Sequence, residues 1–158
     1  MGARPVAVAL GSNLGDRRAN LVAAAAELSR LLDPFTLSSI IENPAAGEGT
    51  EHDPPFLNAA GVGRSAMAAG DLVRALLSIE RALGRTRPRL NAPRTIDLDL
   101  ILAGTDIVSE PDIWVPHPRF RERLFVLQPL AEIAPEMLDP VTGLTVRELL
   151  ERQKKPGA

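Results

Sequence analysis

The stretch Arg94–Leu102, RTIDLDLIL, decides how this chain is read. Ile96, Leu98 and Leu100 alternate with Thr95, Asp97, Asp99 and Ile101, the period-2 pattern of a half-buried strand. Asp97 and Asp99 then share one face of that strand, roughly 6.6 to 6.8 Å apart. Aspartate is depleted in strands, and like charges on one face repel. At that spacing the repulsion is about 0.6 kcal/mol in water and about 2.5 kcal/mol at an effective dielectric of 20. A strand that carries this pair either solvates both carboxylates or uses them together.

The elements on either side follow from the same patterning. Pro5–Leu10 (PVAVAL) predicts a buried strand ended by the turn GSNLGD, and Phe35–Glu42 and Phe56–Gly63 predict two more strands. A helix is expected from about Asp16, as N-cap, to Leu32, with Leu21, Ala24, Ala25, Leu28 and Leu32 on one face. A second helix is expected from about Ala68 to Leu83, packing Leu72, Leu76, Ile79 and Leu83, with Gly84 as its stop. The order is β-α-β-β-α-β followed by a helical C-terminal segment, an α+β ferredoxin-like arrangement. Two long segments, Asn43–Pro55 and Arg85–Arg94, have loop composition; the first is mostly acidic, the second carries four arginines and no acid.

With 158 residues, 45% of them hydrophobic, one domain spanning residues 1–158 is expected. A net charge of −2 argues against a general nucleic-acid or membrane-surface binder. There is no cysteine, which excludes disulfides, thiolate metal sites and a cysteine nucleophile and fits a reducing compartment. The N-terminal run reads as neither signal peptide nor membrane span, so a cytoplasmic protein is expected. The lysines are Lys154 and Lys155, and the other sixteen basic residues are arginine. A phosphate-gripping lysine of the Walker A or protein-kinase kind therefore has no place in the folded body. Any phosphate must be held by arginines and metal ions.

Arg85, Arg87, Arg89 and Arg94 precede the aspartates in one loop, and Val115–Leu127 (VPHPRFRERLFVL) adds His117, Arg119, Arg121 and Arg123. Carboxylates that chelate Mg²⁺, beside arginines and a histidine on phosphate oxygens, make a minimal set for phosphoryl transfer. The plain alternatives are a solvated sheet face for the aspartates, a hydrogen-bonded loop histidine and solvated arginines. GSNLGD is read as a tight turn packed near the site rather than a phosphate cradle. Gly61–Ala66 (GVGRSA) matches G-x-G-x-x-A but has no parallel βαβ unit around it, which argues against a dinucleotide site.

Val8–Asp16 (VALGSNLGD), Phe56–Gly63 (FLNAAGVG), Ala92–Leu102 (APRTIDLDLIL) and Val115–Pro135 (VPHPRFRERLFVLQPLAEIAP) together resemble the 6-hydroxymethyl-7,8-dihydropterin pyrophosphokinases of folate biosynthesis. The resemblance implies transfer of a pyrophosphoryl group from ATP to the pterin hydroxymethyl, leaving AMP. It implies that Asp97 and Asp99 bind two Mg²⁺ ions and that Arg85, Arg87, Arg94, His117 and Arg123 contact the nucleotide. Arg85, Arg94, Asp97 and Asp99 are the implied catalytic set. Asn58, Phe56 and Phe125 correspond to the pterin pocket, an amide on the ring edge and aromatics on its face. Without the resemblance, Phe56 and Phe125 read as core.

The chain departs from the pattern at Leu90, usually basic, at Asn91, tryptophan in some members, and at Phe56, often tyrosine. The two long loops are expected to close over the substrates. A monomer acting on small molecules, without nucleic acid or membrane, is expected. The rival readings are another Mg-nucleotide transferase on this scaffold and a binding module for nucleic acid. The second lacks the aromatic platform, with four phenylalanines, one tryptophan and no tyrosine in the chain.

Overall fold

The computed structural model describes residues 2–43, 54–84 and 95–154. Strand β1 (Arg4–Ser12) contains the predicted apolar run and continues through Gly11 and Ser12, so the expected turn begins at Asn13. Both its faces are apolar because each side of the sheet is covered by a core, and both its edges are paired, antiparallel, with a strand on each side. Helix α1 (Arg17–Leu31) starts where the Asp16 carboxylate accepts a hydrogen bond from the Ala19 amide at 3.1 Å, and it buries Leu21, Ala24 and Leu28.

The expected strand Phe35–Glu42 is split into β2 (Thr36–Leu37) and β3 (Ile41–Asn43), both paired with β4 (Phe56–Ser65). Serine chemistry causes the break. The Ser38 hydroxyl accepts from the Ala60 amide at 2.8 Å, and the Ser39 amide and hydroxyl both donate to Glu132, at 2.9 and 2.7 Å. These side-chain bonds replace rungs of the ladder. Gly61 and Gly63 lie inside β4, not at a strand-to-helix turn, which disposes of the dinucleotide pattern. Their lack of side chain serves packing, since a Cβ on Gly61 would lie 2.6 Å from the Phe35 ring.

Helix α2 (Ala69–Ala82) buries Leu72, Leu76 and Ile79 and ends at Gly84, whose φ of +84° suits glycine. Strand β5 (Asp97–Ala103) begins at the first aspartate, so Thr95 and Ile96 precede it. A bulge interrupts its register: Val8 faces Leu100 and Ala7 faces Leu102, leaving Ile101 as the extra residue. The sheet order β2-β4-β1-β5, all antiparallel, is the ferredoxin-like arrangement predicted from the element order.

Two cores sandwich this sheet. Val6, Val8, Leu10, Leu98 and Leu100 pack against α1 and α2 on one face. Ala7, Ala60, Ile101 and Leu102 pack on the other face against α3 (Leu124–Ile133), α4 (Val146–Lys154) and Phe120 of the 3₁₀ turn Phe120–Glu122. The helical C-terminal segment was expected. The hairpin of β6 (Val108–Glu110) and β7 (Ile113–Val115) was not. Its signal was the two-residue Pro111–Asp112 connection between apolar runs, with Asp112 at φ +69°. No helix among the described residues is long and apolar enough to cross a membrane.

Candidate active site

Residues opposite one another in an antiparallel sheet share a face, and Gly11 lies opposite Asn58 on one side and Asp97 on the other. Asn58, Gly11 and Asp97 therefore form a row across three strands, spanning about 10 Å at ordinary strand spacing. Phe56 precedes this row on the same face and Asp99 lies one pleat further along β5, opposite Ala9. The absent or minimal side chains of Gly11 and Ala9 keep the floor between these groups low. A Cβ at Gly11 would lie 3.1 Å from the Asn58 amide nitrogen and 3.3 Å from the Phe56 ring, so both side chains lie over the β1 backbone. Asn58 is 8% exposed, and its carbonyl oxygen accepts from the Asn43 amide at 3.2 Å, which orients the Asn58 NH₂.

The face that carries this row is covered further along by α3 and α4, so only its end is open. Phe125, in the first turn of α3, is half-buried at the rim, and the Arg123 guanidinium lies 5.6 Å from the centre of its ring. Asp97 and Asp99 are half-buried and line an open cleft of about 820 Å³ along the outer edge of β5. The opposite wall is α2, contributing Arg74, Leu77 and Glu80, and the hairpin closes one end with Ile113 and Trp114. His117 faces the same cleft, tied to β5 by its amide, which donates to the Ile101 carbonyl at 3.0 Å.

The aspartate pair suits a hard divalent cation. Its oxygens come from two carboxylates on one face, and among the described residues no third histidine, cysteine, aspartate or glutamate joins them. Mg²⁺ is held in this way, by one or two carboxylates with substrate phosphates and water completing the octahedron.

The sequence reading did not find Arg74, Leu77, Glu80 and Trp114. A signal existed for Glu80, a charge on the apolar stripe of α2 four residues after Leu76. Glu80 is 3% exposed and its carboxylate accepts from the Leu98 amide at 2.7 Å, satisfying the edge of β5 between the two aspartates. Arg85, Arg87 and Arg94, with Leu90 and Asn91, lie outside the described residues, as does the segment 44–53 of the first loop.

Burial lowers the His117 pKa to about 4, helped by the Arg123 and Arg119 charges and opposed by Asp97. The ring is neutral at pH 7. Its Nδ1 accepts from the Arg119 amide at 3.2 Å, which leaves the proton on Nε2 as a donor. Because the folded-state pKa lies below the unfolded value of 6.5, the unfolded chain binds the extra proton first as pH falls. The contribution of this ring to stability is complete above pH 6.5 and disappears as pH drops towards 4. Over that window unfolding free energy should fall by about 2 kcal/mol more in the wild type than in His117→Gln, measured by urea denaturation. Equal slopes in the two proteins would show that the ring is not buried as a neutral base.

Comparison with known proteins places this geometry in a lineage. The crystal structure titled Plasmodium falciparum HPPK-DHPS wild type with pteroate shares the fold, with a TM-score of 0.72 at 12% identity. That alignment takes in 95% of this chain and 42% of the Plasmodium chain, so the protein spans less than half of that structure's length. Sequence relatives are nearer. The 2-amino-4-hydroxy-6-hydroxymethyldihydropteridine pyrophosphokinase of Methylorubrum extorquens is 40% identical over 94% of this chain and 92% of its own length. The enzymes of that name from Bacillus subtilis and Synechocystis sp. are 40% and 37% identical, over 86% and 92% of this chain and 81% and 74% of their own. The family model described as 7,8-dihydro-6-hydroxymethylpterin-pyrophosphokinase matches residues 7–135, which include every described position of the Asn58–Asp97 row and the cleft. The chain belongs to the 7,8-dihydro-6-hydroxymethylpterin-pyrophosphokinase family.

Proposed function

We propose that this protein, as a single pyrophosphokinase domain, transfers the terminal pyrophosphoryl group of Mg-ATP to the hydroxyl of 6-hydroxymethyl-7,8-dihydropterin. The row Asn58–Gly11–Asp97 supports the proposal, because it puts the Asn58 amide and the Phe56 ring over the bare Gly11 backbone on the same sheet face as the carboxylate pair. The nucleotide lies in the cleft along β5, with its phosphates towards Asp97 and Asp99. The pterin lies over Gly11, its edge read by the Asn58 amide and its faces covered by Phe56 and Phe125.

The hydroxymethyl oxygen forms a bond to the β-phosphorus. The bond from that phosphorus to the oxygen bridging the α-phosphate breaks, AMP leaves with that oxygen, and the hydroxyl proton is released. Asp97 and Asp99 hold Mg²⁺, two ions by family resemblance, and bound Mg²⁺ supplies neutralisation of phosphate charge. His117 donates from Nε2 to a phosphate oxygen as a neutral group. Arg123 adds a fixed cation, and Arg85, Arg87 and Arg94 of the second loop complete the phosphate contacts. Rate acceleration comes from alignment of the attacking oxygen and from charge stabilisation. The reading also takes the protein to act in the cytoplasm as a monomer on small molecules, without nucleic acid or membrane.

Incubation with Mg-ATP and the hydroxymethyl pterin, followed by nucleotide analysis, tests this. AMP should appear in a one-to-one ratio with pterin diphosphate and without ADP. ADP as the product would replace this reading with a simple kinase on the same scaffold.

A further inference from the structure

Asp139 stands apart from the contacts assigned to either substrate, yet it is a carboxylate with 0% exposure. It accepts from Arg121 Nε at 2.5 Å and Nη2 at 3.0 Å, from the Thr142 hydroxyl at 2.7 Å and from the Val141 amide at 3.0 Å. Burial by itself would raise its pKa, but the hydrogen bonds from Arg121, Thr142 and Val141 prevail and hold it below the usual carboxylate range. Its backbone is fixed as well, with the amide donating to the Leu144 carbonyl and the carbonyl accepting from Gly143. The acid is thus a preset anchor.

Arg121 is the middle residue of the 3₁₀ turn Phe120–Glu122. Such a turn has poor hydrogen-bond geometry and little stability of its own. Two of its side chains reach the body of the protein, Phe120 into the core and Arg121 onto Asp139. The turn begins at His117, whose carbonyl accepts from the Phe120 amide, and ends at Arg123, whose amide donates to the Phe120 carbonyl. Asp139 also engages the Arg121 charge, while Arg123 and Arg119 are the cations that act on His117.

We propose that the Arg121–Asp139 pair is a positioning element for the nucleotide, fixing the turn whose two ends carry His117 and Arg123 so that phosphate meets a preset donor pair. The proposal rests on the reading of His117 and Arg123 as nucleotide contacts. Neither Arg121 nor Asp139 touches substrate.

The test uses the double variant Arg121→Met/Asp139→Asn in the full chain. It removes both charges together and so avoids a lone buried ion, while the amide introduced at position 139 keeps its oxygen on the Val141 N–H and turns its NH₂ to the Thr142 hydroxyl, which then accepts. The affinity for a non-hydrolysable ATP analogue with Mg²⁺ is read from the fluorescence of Trp114, the one tryptophan, at the cleft wall. It should weaken about tenfold, the loss expected when a charge-assisted contact is held out of line. KM for ATP should rise in step, with kcat and pterin affinity within about twofold. In an Arg123→Ala background the same double change should add less than about twofold, because coupled residues are not additive. Arg121→Lys, which keeps the ion pair and loses the fork, should fall between, and it carries the test if the double variant does not fold. Unchanged nucleotide affinity, or fully additive losses, overturns the positioning role while leaving the active-site reading intact. If Arg123→Ala alone leaves nucleotide affinity unchanged, the nucleotide reading fails and the proposal falls with it.

Discussion

Asp97→Ala or Asp99→Ala is expected to abolish pyrophosphoryl transfer, lowering kcat by roughly three orders of magnitude or more, while the fold survives. Each change removes one of two carboxylates that the pleat of β5 directs to the same face beside the cleft. Among the described residues no third carboxylate, histidine or cysteine joins the pair, so the loss of either aspartate leaves a cation a single carboxylate there. Thermal unfolding without metal should stay level or rise, because the two carboxylates repel each other by about 0.6 to 2.5 kcal/mol, depending on local dielectric. Activity and melting temperature should therefore separate. A variant that turns over at the wild-type rate would remove the pair from the mechanism, and one that fails to fold would give the aspartates a structural role instead.

Gly63→Ala should produce the largest loss of stability from a single methyl group. The added Cβ would lie 2.5 Å from the Leu32 Cβ and 2.7 Å from the Pro34 carbonyl oxygen. The second neighbour is backbone, held where residue 33 bonds to the Arg64 carbonyl, and it cannot rotate away. Overpacking of this kind costs about 3 kcal/mol, which for a chain of this size lowers the melting temperature by roughly 6 to 12 °C. Gly2→Ala, with nothing within 4 Å, is the neutral control. Scanning calorimetry of both variants decides it. Intact stability with lost nucleotide binding in Gly63→Ala would instead revive the glycine-rich loop that residues 61–66 imitate.

The contrast between these two variants reflects which interactions are written locally. The alternation around Asp97 and Asp99, the Asp16 cap and the Gly84 stop each depend on a few neighbouring residues, and each stands where the pattern put it. Ser38 and Ser39 break the second strand through bonds to Ala60 and to Glu132, ninety-three residues away, which no local pattern contains. The hairpin was marked by Pro111–Asp112 but lay between segments already claimed by stronger signals. The cleft wall was hidden for a different reason. Arg74 and Leu77 look like ordinary surface positions of an amphipathic helix until the sheet edge is placed opposite them. Roles for Arg85, Arg87 and Arg94 were suggested by motif, and those residues lie outside the described structure.

The bulge at Ile101 gives β5 two halves of opposite parity. Before it, even positions face α1 and α2, and the odd positions 97 and 99 take the opposite face of the sheet. After it, Leu102 takes the face of Ile101 and Ala103 returns to the other core. One inserted residue thus works as a phase shifter. Without it, a strand whose far half is fitted to its core would carry both carboxylates on the wrong side. The chemistry of Asp97 and Asp99 is set as much by this odd step in the count as by the aspartates themselves.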